Sequence, residues 1–267
     1  MNWMQHPLVK DITEVGCLLT QNGWAEAFAG NISVWLTQEQ TAELVLDSGD
    51  SRWFSLPEAV PSMANEMFLI SASGAMLRAL AEHTEQKMGV IQLDNKGERY
   101  RVLAGFNNSA RPTSELITHL KVLASREDDQ RVVIHTHATA LITMSLGLKG
   151  SSEDFSKWLW SVSAEAMYFY PDGVGVCPWA VAGSVELGEY SAQLAKKHRL
   201  ILWPAHGVLA LGTNLNTALG LIETAAKAAE IYCQLLAMNK FENLLNEDQL
   251  LQLAQAFSVS PQFNLGQ

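Results

Sequence analysis

Positive charge is scarce in this chain: 18 lysines and arginines stand against 28 aspartates and glutamates, a formal net charge of −10. Such an excess repels phosphate backbones and anionic lipid surfaces, so neither nucleic acid nor a membrane is an expected partner. Cysteine is rarer still. Cys17, Cys177 and Cys233 are odd in number and far apart, which excludes a disulfide framework and a cysteine-based zinc knuckle and fits a reducing compartment. No stretch reaches the roughly 20 apolar residues of a membrane span. The leading segment MNWMQHPLVKDITEV lacks the basic region and apolar run of a secretory signal, so the cytoplasm is the expected location. Repeats, low-complexity tracts and Gly/Ser linkers are also missing. With 48% apolar residues to fill a core, the sequence predicts one domain over residues 1–267.

What is present alternates between the two regular periods. Leu8, Ile12, Val15 and Leu19 follow Pro7 at helical spacing and predict a helix ending near Gly23. Ile32, Val34 and Leu36 alternate with polar or flanking positions as a strand does, and Met67 to Ser71 reads as another. The polar stretch between them, Thr37 to Pro61, reads as a hairpin or an insertion. GVIQLDNKGERYRVLAG has two β-rich arms around Asp94 to Gly97 and predicts antiparallel neighbours. A helix is expected from Ser114, a buried strand over Arg131 to His135, and a second antiparallel pair at Leu200–Trp203 and Val208–Leu211. Helices are expected over Thr217 to Met238 and Glu247 to Phe257. Mixed elements without repeats imply an α/β fold in which helices pack on a mixed sheet.

Four segments could carry chemistry. His135-Thr136-His137 ends the apolar run RVVI, and residues two apart in an extended segment project from one face, so both rings can reach one ion. Spacing alone reads equally as ordinary buried or surface histidines. A third ligand would be His206, beside Gly207 at a strand end, since catalytic zinc commonly takes three protein ligands and leaves a position open. In RPTSELITHL, Thr113 or Ser114 can cap a helix with Glu115 in its first turn. That pattern stabilises a helix start with no function at all, yet the same amides and hydroxyls can cradle a phosphate. Gly30-Asn31 and Ser73-Gly74 sit at strand ends and would otherwise be plain turns. Trp158, Trp160, Trp179 and Trp203 read as core or interface packing and Cys177 as a small buried apolar residue. His119 reads as a polar helix-face residue; His6, His83 and His198 have no ligand partner in sequence.

In this order GNIS, SASGAMLR, PTSEL, HTHAT, FYPDGVG and WPAHGV resemble the class II aldolase family, which includes sugar-phosphate epimerases and adducin heads, over most of the chain. The resemblance implies a three-layer helix/sheet/helix sandwich around a mainly antiparallel mixed sheet. It also implies a cyclic homotetramer with the active site near a subunit interface. It places His135, His137 and His206 on the ligands of one zinc ion per chain, and Glu115 on the acid/base carboxylate of a reversible cleavage of a phosphorylated ketose through a zinc-stabilised enediolate. Gly30, Asn31, Ser73, Gly74, Thr113 and Ser114 fall on the phosphate cradle, and Glu165 on a second carboxylate near the aldehyde end. Glutamate after Thr113-Ser114, where the epimerases carry aspartate, favours an aldolase. An aldolase for a different ketose phosphate, such as fuculose 1-phosphate, an epimerase or dehydratase, and a metal-free binding module like the adducin head are the alternatives. One departure stands out. Aldolases of this type carry Glu-Arg-Asn-Gly-Gly-Asn before the first motif strand, whereas this chain reads Glu26-Ala27-Phe28-Ala29-Gly30-Asn31. A charge-assisted donor and an amide near the phosphate are thereby replaced by apolar side chains.

Overall fold

The computed structural model describes residues 1–46, 52–126 and 129–265. Among the described residues nine strands form one sheet: β1 (Asn31–Trp35), β2 (Trp53–Ser55), β3 (Met67–Ser71), β4 (Met88–Leu93), β5 (Arg99–Gly105), β6 (Val132–Thr136), β7 (Val174–Val176), β8 (Leu200–Trp203) and β9 (Gly207–Gly212). Their order is β2-β5-β4-β3-β1-β6-β9-β8-β7. Every pairing is antiparallel except β7 with β8. The helices are α1 (Pro7–Gln21), α2 (Gln38–Glu43), α3 (Thr84–Lys87), α4 (Leu116–Ala124), α5 (Thr139–Gly147), α6 (Ser152–Ser161), α7 (Ala164–Phe169), α8 (Val185–Ala195), α9 (Leu215–Met238) and α10 (Glu247–Phe257).

The central strands explain the layering. β3 and β6 are buried along their whole length, as strands covered on both faces must be. Along β1 successive side chains point to opposite layers. Ser33 reaches α4 on one side, where its Oγ lies 2.7 Å from His119 Nδ1. Val34 lies on the other, beside Leu8 and Val15 of α1. Helices α4 and α8 pack together on the first face, and α1, α5 and α9 on the second. The result is the expected helix/sheet/helix sandwich around a mainly antiparallel sheet.

Local chemistry sets the helix starts. Pro7 occupies the first position of α1 and His6 Nδ1 accepts the Leu8 amide at 3.3 Å, while Val9, Ile12, Val15 and Leu19 form the buried stripe. Within Thr37 to Pro61 the described residues hold α2 and the edge strand β2 instead of a hairpin. A reciprocal capping box between Thr37 and Gln40 starts α2, and β2 pairs with the distant β5. Part of that stretch, residues 47–51, lies outside the described residues. Sequence reading also passed over α6, α7, β7 and α8. The capping pair Ser151 and Asp154 is the local signal of α6, and Ser184 Oγ, accepting the Leu187 amide, that of α8.

Antiparallel order places starts and ends of neighbouring strands together. The end of β6, the beginnings of β1 and β9 and the end of β3 therefore share one end of the sheet. Asn31 pairs across from His135, Trp203 pairs with Gly207, and the turn between β8 and β9 carries His206. The segment PTSEL is pinned alongside, because the Ser73 amide donates to the Arg111 carbonyl (2.8 Å) and the Thr113 amide to the Ser71 carbonyl (3.0 Å). No described helix is long and apolar enough to cross a membrane.

Candidate metal centre and active site

Three imidazoles converge at this end of the sheet. One ligand atom from each of His135, His137 and His206 lies within 4.8 Å of the other two, the only such cluster of three potential ligands among the described residues. His135 and His137 leave the end of β6 two positions apart, and His206 comes from the adjacent hairpin turn. Gly207 makes the approach possible. A Cβ there would meet the Thr136 carbonyl at 2.4 Å, His135 Cε1 at 2.9 Å and His137 Cδ2 at 3.1 Å.

Each ring is held by its surroundings. His135 Nδ1 donates to the Val208 carbonyl at 3.0 Å, which fixes the tautomer and leaves Nε2 with a free lone pair. His137 Nδ1 lies 2.7 Å from Glu26 Oε1. The Trp24 carbonyl fixes the backbone there by accepting both the His137 amide (2.9 Å) and the Thr136 hydroxyl (2.7 Å). Trp203 packs against His135 and His206, with centroids 4.5 Å and 5.1 Å away, and its own Nε1 donates to Ser191 Oγ at 3.0 Å. Burial, reinforced by His137, pushes the His135 imidazole down to about 3. Burial and then His135 push His206 down to about 4. At neutral pH these two rings are uncharged, the state a metal requires. Desolvation opposes ionisation of Glu26, but the hydrogen bond to His137, a backbone hydrogen bond and the electrostatic attraction of His137 and His135 together outweigh it and hold that carboxyl below its ordinary value. Three imidazoles, at least two oriented through their second nitrogen, fit a catalytic metal site.

Glu115 is the carboxylate that faces them. Its Oε2 lies 3.8 Å from His135 Nε2, its Oε1 lies 3.7 Å from His206 Nε2, and the side chain is buried. It occupies the cap position of α4, not the first turn, and caps nothing. The Glu115 amide donates to Thr113 Oγ1 (3.3 Å), so the threonine does the local capping and the carboxylate is released to the site. Asn31 Nδ2 donates to Glu115 Oε2 at 2.9 Å.

A cavity of about 180 Å³ opens on this constellation. Gly30, Asn31, Ser73, Gly74, Thr113 and Ser114 all line it, together with Glu115, the three histidines, Phe28, Ala29 and Ala72. Glu165 does not: it is exposed on the first turn of α7, 3.3 Å from the Ser163 hydroxyl. Among the described residues neither lysine nor arginine lines the cavity, and Phe28 is 60% exposed at its rim. His119, expected as a polar helix-face residue, lies on the face of α4 turned to the sheet. It is fully buried, bonded to Asn31 and Ser33, and burial, opposed by the Glu115 charge, pushes it down to about 4. Glu26 and His119 are the site residues that sequence reading missed. Of the remaining conspicuous side chains, Trp160, Trp203 and Cys177 are buried as expected, whereas Trp179 is 70% exposed.

The Class II Aldolase and Adducin N-terminal domain family matches residues 10–233. The chain is 33% identical over 264 residues to rhamnulose-1-phosphate aldolase of Enterobacter sp. (strain 638), covering 97% of this chain and 94% of that protein. The protein of the same name from Listeria welshimeri is 36% identical over 260 residues, 96% of this chain and 93% of that one. Among solved structures, a sugar-phosphate aldolase from Thermotoga maritima superposes with a TM-score of 0.76 at 27% identity, covering 89% of this chain and 98% of its own. An L-fuculose 1-phosphate aldolase shares the fold, with a TM-score of 0.64 at 21% identity over 95% and 97% of the two chains. The chain belongs to the class II aldolase and adducin family. Within it the chain is an enzyme of the aldehyde-lyase class.

Proposed function

We propose that this protein is a zinc-dependent aldolase, one domain over residues 1–267, that reversibly cleaves L-rhamnulose 1-phosphate to dihydroxyacetone phosphate and L-lactaldehyde. The observation that carries the reading is a buried carboxylate facing three imidazoles in one cavity, in a chain whose relatives of that name align over nearly its full length. His135, His137 and His206 would hold one zinc ion per chain. When bound, the ion supplies Lewis acidity that spreads the negative charge left on the hydroxyketone fragment as the carbon–carbon bond breaks.

The remaining work falls to side chains of this chain. Glu115 returns a proton to the hydroxyl-bearing carbon in cleavage and removes it in condensation, as the one carboxylate among the described residues that line the cavity. Thr113 Oγ1 already accepts the Glu115 amide, so its hydroxyl proton is free to donate to a phosphate oxygen. The Ser73 amide is engaged by Arg111, so Ser73 contributes through its hydroxyl. Ser114, Asn31 and the close backbone approach allowed by Gly30 and Gly74 complete the cradle, which orients the reacting carbon. Glu165 points to solvent and would serve the aldehyde end of a neighbouring copy's site in a cytoplasmic homotetramer.

Metal analysis and an aldehyde assay on the same sample test this. About one zinc per chain and chelator-sensitive release of lactaldehyde from L-rhamnulose 1-phosphate are expected. Glu115→Gln should keep the metal and lose turnover by about 100-fold or more. Bound zinc without release redirects the reading to another ketose phosphate, and a metal-free protein refutes it.

A further inference from the structure

Behind Glu115 runs a buried chain of hydrogen bonds that no step above uses. Asn31 Nδ2 donates to Glu115 Oε2 (2.9 Å), Asn31 Oδ1 lies 2.6 Å from His119 Nε2, and His119 Nδ1 lies 2.7 Å from Ser33 Oγ. All four side chains are buried, so each polar atom depends on its partner in the chain.

The directions follow from what each atom can do. A carboxylate only accepts, so the Asn31 amide must present its nitrogen to Glu115 and its oxygen to His119. An amide oxygen also only accepts, so His119 Nε2 must carry a hydrogen. In a neutral ring Nδ1 then accepts, and the Ser33 hydroxyl donates to it. Three donors in series therefore point from Ser33 towards Glu115, each polarising the next.

We propose that His119, backed by Ser33, is a positioning residue for Glu115: it locks the Asn31 amide so that its N–H holds Glu115 Oε2, leaving Oε1 to move the proton. This rests on the acid/base reading of Glu115. Asn31 is thereby divided between two tasks. Its oxygen and one N–H are committed to the chain, and its second N–H is what remains for the cradle. Without a donor from residue 119 the amide can turn and present its oxygen to the carboxylate, which repels it.

Two independent measurements test the proposal. In ¹⁵N-histidine-labelled protein, with His119 assigned by its loss in His119→Gln, long-range ¹H–¹⁵N spectra at neutral pH should show the neutral Nε2–H tautomer. The Nδ1–H tautomer or a charged ring overturns the proposal. Ser33→Ala should keep the Nε2–H tautomer but shift the His119 Nδ1 resonance, because that nitrogen loses its donor; an unchanged Nδ1 resonance overturns the proposal too. In the zinc-loaded enzyme, His119→Leu should lower kcat by about 10- to 100-fold with zinc content unchanged. His119→Gln, which keeps a nitrogen donor near the Nε2 position, should restore most of kcat. Equal loss in the leucine and glutamine variants, or no loss in either, overturns the proposal. If the leucine variant does not fold, the tautomer and Ser33→Ala decide. If the wild type does not turn over the sugar phosphate, the substrate reading fails while the tautomer still decides the relay.

Discussion

Removing the Glu26 side chain should weaken metal binding without weakening the fold. Glu26 lies in the loop after α1 with its side chain 64% exposed, and its carboxylate meets His137 Nδ1 at 2.7 Å. An exposed pair of this kind contributes about 1 kcal/mol or less to folding. Its effect on the ligand is larger, because it fixes the ring of His137 and raises the basicity of the nitrogen opposite. Loss of such an outer carboxylate typically lowers metal affinity about 10- to 100-fold, equivalent to about 1.4–2.8 kcal/mol. Glu26→Ala should show that loss when zinc is titrated in competition with a chromophoric chelator. Glu26→Gln, which retains an acceptor but not the charge, should fall between alanine and wild type. Melting of the chelator-treated proteins should be nearly the same for all three. Wild-type zinc affinity in Glu26→Ala, or an equal loss of stability in the metal-free state, would refute the reasoning.

Three further outcomes are expected. Gly207→Ala should abolish zinc binding in the same titration, since its Cβ would lie 2.4 Å from the Thr136 carbonyl and 2.9 Å from His135 Cε1. Asp94 is subject to a desolvation penalty, but Arg99 and the amides of Glu98, Lys96 and Arg99 overcome it and hold the carboxyl down to about 2. Its folded pKa is below the unfolded value of about 3.9, so its stabilisation is complete above about pH 4 and is lost as pH falls through about 2. Urea midpoints across that window should fall less steeply for Asp94→Asn than for wild type. Phe28→Asn returns an amide to the rim of a cavity lined by no lysine or arginine among the described residues, and should lower KM for the sugar phosphate by about 2- to 10-fold with kcat unchanged. An unchanged KM would mean that the phosphate does not approach this rim.

Where sequence periodicity and local chemistry coincided, the sequence was easily read. Strand β3 and helix α10 fall where the pattern places them, and α1 begins at Pro7 as expected and ends two residues before Gly23. The elements between residues 152 and 195 were not legible in the same way. Helix α7 is six residues and β7 three, too short for either period to stand out, while α6 and α8 are announced chiefly by their capping residues. At the edge of the sheet, β2 exists because β5 pairs with it, which no local pattern announces.

The same division runs through the site. His135 and His137 carry a local signature, two positions apart at a strand end, and His206 sits in a turn beside a glycine whose missing Cβ the packing requires. The groups that orient these residues have none. Glu26 is 111 positions from His137, and His119 is 88 from Asn31 and 86 from Ser33. Only one relation was available in advance: His119 follows Glu115 by four, the spacing that stacks side chains on one face of a helix. Spacing gives a shared face but not which layer the face meets. That depends on Ser33 projecting from β1 towards α4 while Val34 projects away, and a slip of one residue in β1 would reverse both. The register of one central strand therefore decides whether His119 meets the hydroxyl of Ser33 or an apolar side chain.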